Sequence, residues 1–433
     1  MSFPRYPSYK DNGVEWLGEV PEHWEVKRIG YYFNEPREKV SDKDYPALSV
    51  TKNGIVPQLD TAAKSDDGDN RKRVCVGDFV INSRSDRKGS AGASDLDGSV
   101  SLICTVLRPQ ERAHTPFVHH LLRSQPFQEE FYRYGKGIVA DLWSTNYSEM
   151  RNILLGMPPP AEQSAIAGFL DRETGKIDEL VAEQRRLMAL LKEKRQAVIS
   201  HAVTRGLNPA APLKPSAIEW LGAVPAHWEV IALKRIADVQ TGVAKGKDNS
   251  SRTTITVPYL RVANVQDGYL DLETVATIEI PAEDLERYAL NAGDVLMNEG
   301  GDFDKLGRGH VWDGQIDPCI TQNHVFAVRP RKVSSAWLNA VTGSDFAQFY
   351  FMTRSKQSTN LASISSTNLM ELPVILPPVA EQEAILSFIA NQTSRFDTLT
   401  AAAQRAIALR QERRTALISA TVTGQIDVRE EGA

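Results

Sequence analysis

Glu25, Val26 and Lys27, downstream of Asp11, have the acidic-x-lysine spacing at the core of a metal-dependent nuclease. The chain itself argues against that chemistry. VEWLGEVPEHWEV, from Val14 to Val26, returns as IEWLGAVPAHWEV, from Ile218 to Val230, and Ile231 then stands where the lysine was. A structural arm survives duplication with that change, whereas a cleavage site does not. Gly242 to Asp248 looks like a phosphate-binding loop, but it is one spacer short and lacks the Ser or Thr that would hold magnesium. No GxGxxG follows a strand and no GxSxG elbow is present. His23 and His227 lie in matching PxHW contexts without carboxylate or cysteine neighbours at ligand spacing, so both read as packed beside Trp24 and Trp228. The three cysteines, Cys75, Cys104 and Cys319, stand apart without CxxC spacing and read as reduced, partly buried thiols. The chain is expected to hold no catalytic residue, no metal and no cofactor of its own.

What remains is a set of cations gathered in polar loops. In the first half these are Arg71, Lys72 and Arg73, then Arg84, Arg87 and Lys88 within the loop Ser83 to Gly89. In the second half the equivalent loop, Asn298 to Gly309, carries Lys305 and Arg308, and a further polar loop carries Lys245, Lys247 and Arg252. Lys136 and Lys356 occupy matching Gly- and Ser-flanked segments ahead of Thr145-Asn146 and Thr367-Asn368. Clustered Lys and Arg contact phosphates and give affinity and register, while polar side chains beside them reach base edges. The net charge of −5 means that any such surface is local and set against an acidic remainder.

Four segments position these loops, in the order globule, helix, globule, helix. Residues 1–157 form the first globule, 158–206 a helix, 207–376 the second globule and 377–426 a second helix, with 427–433 as a tail. Short strand-like runs such as PALSV, DFVIN and VSLICTVL are separated by turn signals including Asn53-Gly54 and Asp97-Gly98. PYLRVANV, DVLMN and HVFAVRP are their counterparts in the second globule. A helix is expected near Pro116 to Arg133 and another near Ser335 to Met352. Gly77-Asp78 matches Gly293-Asp294, and Arg108-Pro109 matches Arg329-Pro330, so the two globules share a frame while most other positions differ.

PPPAEQSAI at Pro158 and PPVAEQEAI at Pro377 open the long helices, since a proline run suits a first turn. Ile166, Leu170, Ile177, Leu180, Leu187, Leu191 and Val198 fall on alternating three- and four-residue spacing. Ile385, Ile389, Phe396, Leu399 and Leu417 match them, as a coiled-coil seam requires. The fold class is α+β: two similar globules joined by two long antiparallel coiled-coil helices with an internal pseudo-two-fold repeat. No run approaches the roughly 18 apolar residues of a membrane span, and the opening MSFPRYPSYKDNG has no apolar core. A cytoplasmic chain is expected.

The order and double occurrence of these motifs closely resemble the specificity subunits of Type I restriction–modification enzymes. The resemblance rests on YKDNGVEWLGEVPEHWEV and its echo, the two PPxAEQ starts, YLRVANVQDG (Tyr259 to Gly268) and EGGDFDKLGRGHVW (Glu299 to Trp312), and it covers nearly the whole chain. It implies that each globule is a target recognition domain reading one half of a split sequence in double-stranded DNA. It also implies that the helices dock two methyltransferase subunits, with restriction subunits joining through those. S-adenosylmethionine, ATP and magnesium would belong to these partners. Two rival readings come from other classes: a coiled-coil scaffold that binds proteins without DNA, and the nuclease set aside above.

Overall fold

The structure is a computed structural model that describes residues 3–61, 68–137, 143–246, 252–301, 303, 306–357 and 362–432. The chain divides into two compact units, Met1–Arg185 with Gln404–Ala433, and Arg186–Ala403. Each unit therefore takes one globule and part of each long helix.

In unit 1 the apolar run after Asp78 becomes strand Phe79–Asn82, buried along its length. It lies inside an antiparallel sheet ordered 91–93, 79–82, 104–109 and 33–34. A three-stranded sheet of 98–100, 71–74 and 39–40 stands beside it. The run VSLICTVL is not one strand: Ser101 to Cys104 is a tight turn, closed by the Cys104 N–H donating to the Ser101 carbonyl at 2.9 Å. The helix expected near Pro116 to Arg133 is two helices, Thr115–Leu121 and Gln125–Arg133. The break falls at Ser124, whose hydroxyl caps the second helix by accepting from the Phe127 N–H. Phe117, Leu121, Phe127 and Phe131 face the core as their spacing predicts.

Unit 2 repeats the plan. Its main sheet is ordered 237–241, 325–330, 295–298 and 309–311, and a second sheet holds 276–281, 254–260 and 320–321. The helix after the strands is again split, into Ser335–Thr342 and Asp345–Arg354, with Ser334 and Ser344 as caps. The matched sequence pairs are matched ion pairs. Asp78, 2% exposed, accepts two bonds from the Arg108 guanidinium at 3.0 Å and one from the Cys75 N–H. Asp294, 1% exposed, accepts two from Arg329 at 2.8 Å and one from the Asn291 N–H. A buried carboxylate survives only with such saturation, which is why glycine-aspartate and arginine-proline recur together.

Each globule is closed by an early strand paired with its last. Glu25–Arg28 pairs antiparallel with Leu154–Met157, and Glu229–Ala232 pairs with Pro373–Leu376. Glu25 and Lys27, the residues of the nuclease-like spacing, thus sit opposite Met157 and Leu155 in a closing strand. The prolines that follow lead into the long helices, Pro160–Arg205 and Val379–Val422. In the first turn of each helix a glutamate binds back to the duplicated arm. Glu162 accepts from the Trp24 indole N–H (2.9 Å), His23 Nε2 (2.7 Å) and the Tyr6 hydroxyl (2.7 Å). Glu381 accepts from the Trp228 indole (2.6 Å) and His227 Nε2 (2.7 Å). The histidines, which have no carboxylate at ligand spacing in the sequence, each meet one in space, supplied from 139 and 154 residues away.

The helix seam is a heptad pattern, out of phase in places with the one expected. Ile166, Leu170, Thr174, Ile177, Val181, Leu191 and Ala202 are buried on the first helix, and Ile385, Ile389, Thr393, Phe396, Ala403, Leu417 and Thr421 on the second. Leu180, Leu187 and Leu399 are exposed instead. The threonines hide the phase. Thr174 and Thr421 satisfy their hydroxyls on their own helix backbone, at Leu170 and Leu417, and so pack as apolar residues. Within unit 1 Arg414 pairs with Asp178 at 3.0 Å, and within unit 2 Arg195 pairs with Asp397. Aligned from the AEQ motifs, Asp178 is the counterpart of Asp397 and Arg195 that of Arg414, so both units hold the same cross-helix pair.

Glu162 is 7% exposed on its side chain and Glu381 is 44% exposed. Glu162→Ala should therefore lower stability by about 2–3 kcal/mol, because it strands two buried donors, the Trp24 indole and the Tyr6 hydroxyl. Glu381→Ala should cost about 1 kcal/mol or less, since water can replace the missing acceptor. Urea unfolding followed by tryptophan fluorescence checks this, and equal losses would contradict it.

His119 offers a second test in unit 1. Its Nδ1 faces the Ala93 N–H at 3.3 Å and its Nε2 faces the Arg123 guanidinium at 2.6 Å, both donors. Burial first, and the Arg123 charge second, push the imidazole from its ordinary 6.5 down to about 4. The unfolded chain then takes up a proton that the folded chain refuses. Stability is complete above about pH 6.5 and declines as pH falls toward 4, by roughly 1–3 kcal/mol for this one group. The drop in urea midpoint from pH 7.5 to pH 5 should shrink in His119→Gln, and an undiminished drop would show that His119 is not its source.

Candidate nucleic-acid interface

After strand Phe79–Asn82 the chain leaves the sheet, and the Ser83 carbonyl accepts from the Thr145 N–H at 3.0 Å. Arg84 extends into a single 3-10 turn, Ser85–Arg87, and Lys88 follows. Arg84, Arg87 and Lys88 are all exposed. Ser144 pairs with Arg84 on one side and with Lys136 on the other, and the Ser85 N–H donates to the Trp143 carbonyl at 3.1 Å. The Lys88 ammonium lies 5.3 Å from the centre of the Tyr132 ring. The fold thus gathers Arg84, Arg87, Lys88 and Lys136 into one patch, although Lys136 is far off in sequence. Lys136 also meets Glu149 at 3.2 Å, an exposed pair of little energetic weight that leaves the ammonium available.

Arg71, Lys72 and Arg73 are placed differently. Arg71 is buried and donates to the Ser99 hydroxyl (2.8 Å) and carbonyl (3.0 Å). Lys72 donates to Glu35 and to the Cys104 carbonyl, and Arg73 pairs with Glu38 while stacking 4.7 Å from the Tyr45 ring. These three hold the three-stranded sheet together. Basic residues clustered in sequence look alike whether they alternate along a strand or line a loop, and only the cross-strand partners tell the two apart.

In unit 2 the same junction is a small sheet ordered Gly300–Gly301, Ala362–Ser363 and Lys356–Gln357. The Ile364 N–H donates to the Glu299 carbonyl, as the Thr145 N–H does to the Ser83 carbonyl. Lys356 is therefore the structural counterpart of Lys136. Thr145 corresponds to Ile364 and not to Thr367, so that part of the sequence pairing shifts by three residues. Arg308 is half-buried, with its carbonyl accepting from the Asn298 N–H at 2.8 Å. Lys245 is exposed at the end of a segment that bridges at Val243 to Gln322. Arg252 pairs with Glu283 at 3.3 Å where the chain enters and leaves the second sheet, on elements other than those of this junction. Lys247 and Lys305 lie outside the described residues.

Sequence reasoning missed the tips beside these junctions. Leu102 and Ile103 are exposed in unit 1, and unit 2 presents Asn323 and His324, with His324 Nδ1 3.0 Å from Glu299. The signal was present in the Gly-Asp and Arg-Pro pairs. They align the two strands and so also align the turn between them.

Residues 225–408 match the family model described as the Type I restriction modification DNA specificity domain. The chain is 24% identical over 353 residues to the Type I restriction enzyme EcoKI specificity subunit of Escherichia coli K12, covering 78% of this chain and 72% of that one. It is 24% identical over 448 aligned residues to the MjaVIII specificity subunit of Methanocaldococcus jannaschii, covering 99% and 98%. Among solved structures, a chain from work on complex assembly and conformational transition of the type I R-M system superposes with a TM-score of 0.68. That chain is 18% identical, with coverage of 93% of this chain and 98% of its own, and it supports the fold. The resemblance drawn from the duplicated motifs is borne out by these matches.

Replacing Arg84, Arg87 and Lys88 together with Ala should weaken binding to duplex DNA. It should also flatten the log–log salt dependence by close to 0.9 for each phosphate that is no longer neutralised. Arg71→Ala should instead lower stability by about 1–3 kcal/mol, since it leaves the buried Ser99 groups without their donor, and should leave the slope alone. An unchanged slope in a folded triple variant would place the loop away from DNA.

Proposed function

We propose that this chain, a member of the Type I restriction–modification specificity subunits, is a non-catalytic reader of a DNA target split into two unlike halves. One observation carries this reading. Both units keep the same buried aspartate held by an arginine and the same three-way junction, with Lys136 on one and Lys356 on the other, while the other residues displayed on that junction differ. A duplicated frame under selection for one surface would keep the surface. Here the frame is kept and the surface is not, as two readers of different sequences require. Lys136 with Arg84, Arg87 and Lys88 supplies phosphate contacts in one unit, and Lys356 with Lys245 and Arg308 supplies them in the other.

The helices serve the partners. Unit 1 exposes Leu180 and Leu409, and unit 2 exposes their repeat counterparts Leu399 and Leu190. Two like apolar patches, one in each unit, fit two copies of one partner, the methyltransferase subunit, with restriction subunits joining through it. S-adenosylmethionine, ATP and magnesium then stay with those partners. Among the described residues no helix is long and apolar enough to cross a membrane.

Exchange of a globule tests the reading. Residues 214–376 lie between the two long helices and include the whole closing pair, so they can be replaced by the corresponding segment of a relative that keeps the tryptophan at position 228. The hybrid, with its methyltransferase, should methylate a target with one new half and one unchanged half. A change in both halves, or in neither, would refute modular reading.

A further inference from the structure

Shared backbone bonds give a residue-by-residue equivalence between the two units at the edge of the basic loops. Asn82 pairs with Cys104 in unit 1, and Asn298 pairs with Val325 in unit 2. The turns before Cys104 and Val325 close by the same bond, to the Ser101 carbonyl at 2.9 Å and the Gln322 carbonyl at 2.8 Å. The Ser83 N–H donates to the Ile103 carbonyl (3.2 Å), and the Glu299 N–H to the His324 carbonyl (2.9 Å). Leu102–Ile103 and Asn323–His324 therefore occupy the same two tip positions. Each tip is tied through Ser83 or Glu299 to the junction that bears Lys136 or Lys356. In unit 2 the Asn323 N–H also donates to the Val243 carbonyl at 3.1 Å, which brings the Lys245 segment alongside.

The chemistry of the two tips is opposite. Leu102 and Ile103 are 41% and 42% exposed, two branched apolar side chains held beside cations. Asn323 and His324 form a polar relay. His324 Nδ1 lies 3.0 Å from the Glu299 carboxylate, which only accepts, so Nδ1 carries the hydrogen. In the neutral ring Nε2 is then an acceptor, and it takes one amide hydrogen of Asn323 at 3.3 Å. That bond orients the amide. Its second N–H and its carbonyl oxygen remain as a donor beside an acceptor, the pattern that matches N7 and the N6 amino group of adenine in the major groove. An apolar tip has no such match, and its complement on a base edge is the 5-methyl group of thymine.

We infer that this turn is the base-reading element of each unit. Asn323, positioned by His324 and Glu299, reads an adenine in one half-site, and Leu102 with Ile103 packs on a thymine methyl in the other. This rests on the reading of the chain as a two-part DNA reader and adds the residues and the bases.

The test selects binding sites for the full chain with its methyltransferase from a randomised duplex DNA library. It then compares wild type with Asn323→Ala, Glu299→Gln and the double change Asn323→Leu with His324→Ile. Wild type should show an adenine in one half-site. Asn323→Ala should reduce discrimination at that base alone by about tenfold or more, with the other half-site and the salt dependence unchanged. Glu299→Gln keeps the carbonyl that accepts from the histidine, so it should give a smaller loss at the same base, and a folded Glu299→Gln chain guards against misreading an unfolded variant. The double change should move the preference at that base toward thymine. An unaltered base profile in a folded Asn323→Ala chain overturns the inference and leaves the two-part reading standing. A wild type that selects no two-part sequence overturns both.

Discussion

The structure depends on one carboxylate in the first turn of each long helix. Glu162 sits where unpaired helix N–H groups favour negative charge, and it gathers the indole of Trp24, the imidazole of His23 and the hydroxyl of Tyr6. Burial and the glutamate together push the Tyr6 phenol well above its ordinary range, so it stays a donor. The indole is pinned from the other side as well. Gly424 ends the second helix at a φ of 76°, and a Cβ there would meet Pro21 at 2.4 Å and Trp24 at 3.3 Å. Gly206 ends the first helix in the same way against Trp228. In each unit one tryptophan thus joins the start of one long helix, the end of the other and the closing strand of a globule. The two motifs repeated in the sequence are the two halves of this joint.

Once the joint is set, other interactions are free to specify geometry. The pairs Asp178–Arg414 and Asp397–Arg195 are partly exposed and worth about 0–1 kcal/mol each. Their value lies in reciprocity. The aspartate of one repeat meets the arginine of the other in both units, so the repeats are matched as a pair and not as two independent helices. The globules can then diverge, because their own clasps, Asp78–Arg108 and Asp294–Arg329, hold each core without help from the loops.

Much of this was legible in the sequence. The duplication, the closing prolines, the Gly-Asp and Arg-Pro pairs and the apolar helix periodicity all mark elements whose cause is local. What could not be read has a common physical origin in interactions between distant residues. Nothing near His23 announces Glu162, and nothing near Arg71 announces that Ser99 occupies its guanidinium. The seam phase was obscured because Thr174 and Thr421 look polar in sequence yet satisfy their hydroxyls on their own helix. At the candidate interface the cation pattern pointed to the loop after Asn82, where Arg84, Arg87 and Lys88 are exposed, while strand alternation in Arg71 to Arg73 mimicked it. The reading tips stayed hidden because apolar Leu102 and Ile103 lie within a run that looks like strand core.

The central claim is that one chain reads two unlike sequences at once. Sequencing of methylated sites in a host carrying this chain with its methyltransferase tests it most directly. The account predicts a two-part motif with dissimilar halves separated by unspecified bases, the halves lying near one helical turn, roughly 34–36 Å, apart. A continuous palindrome, or methylation without sequence preference, would contradict it.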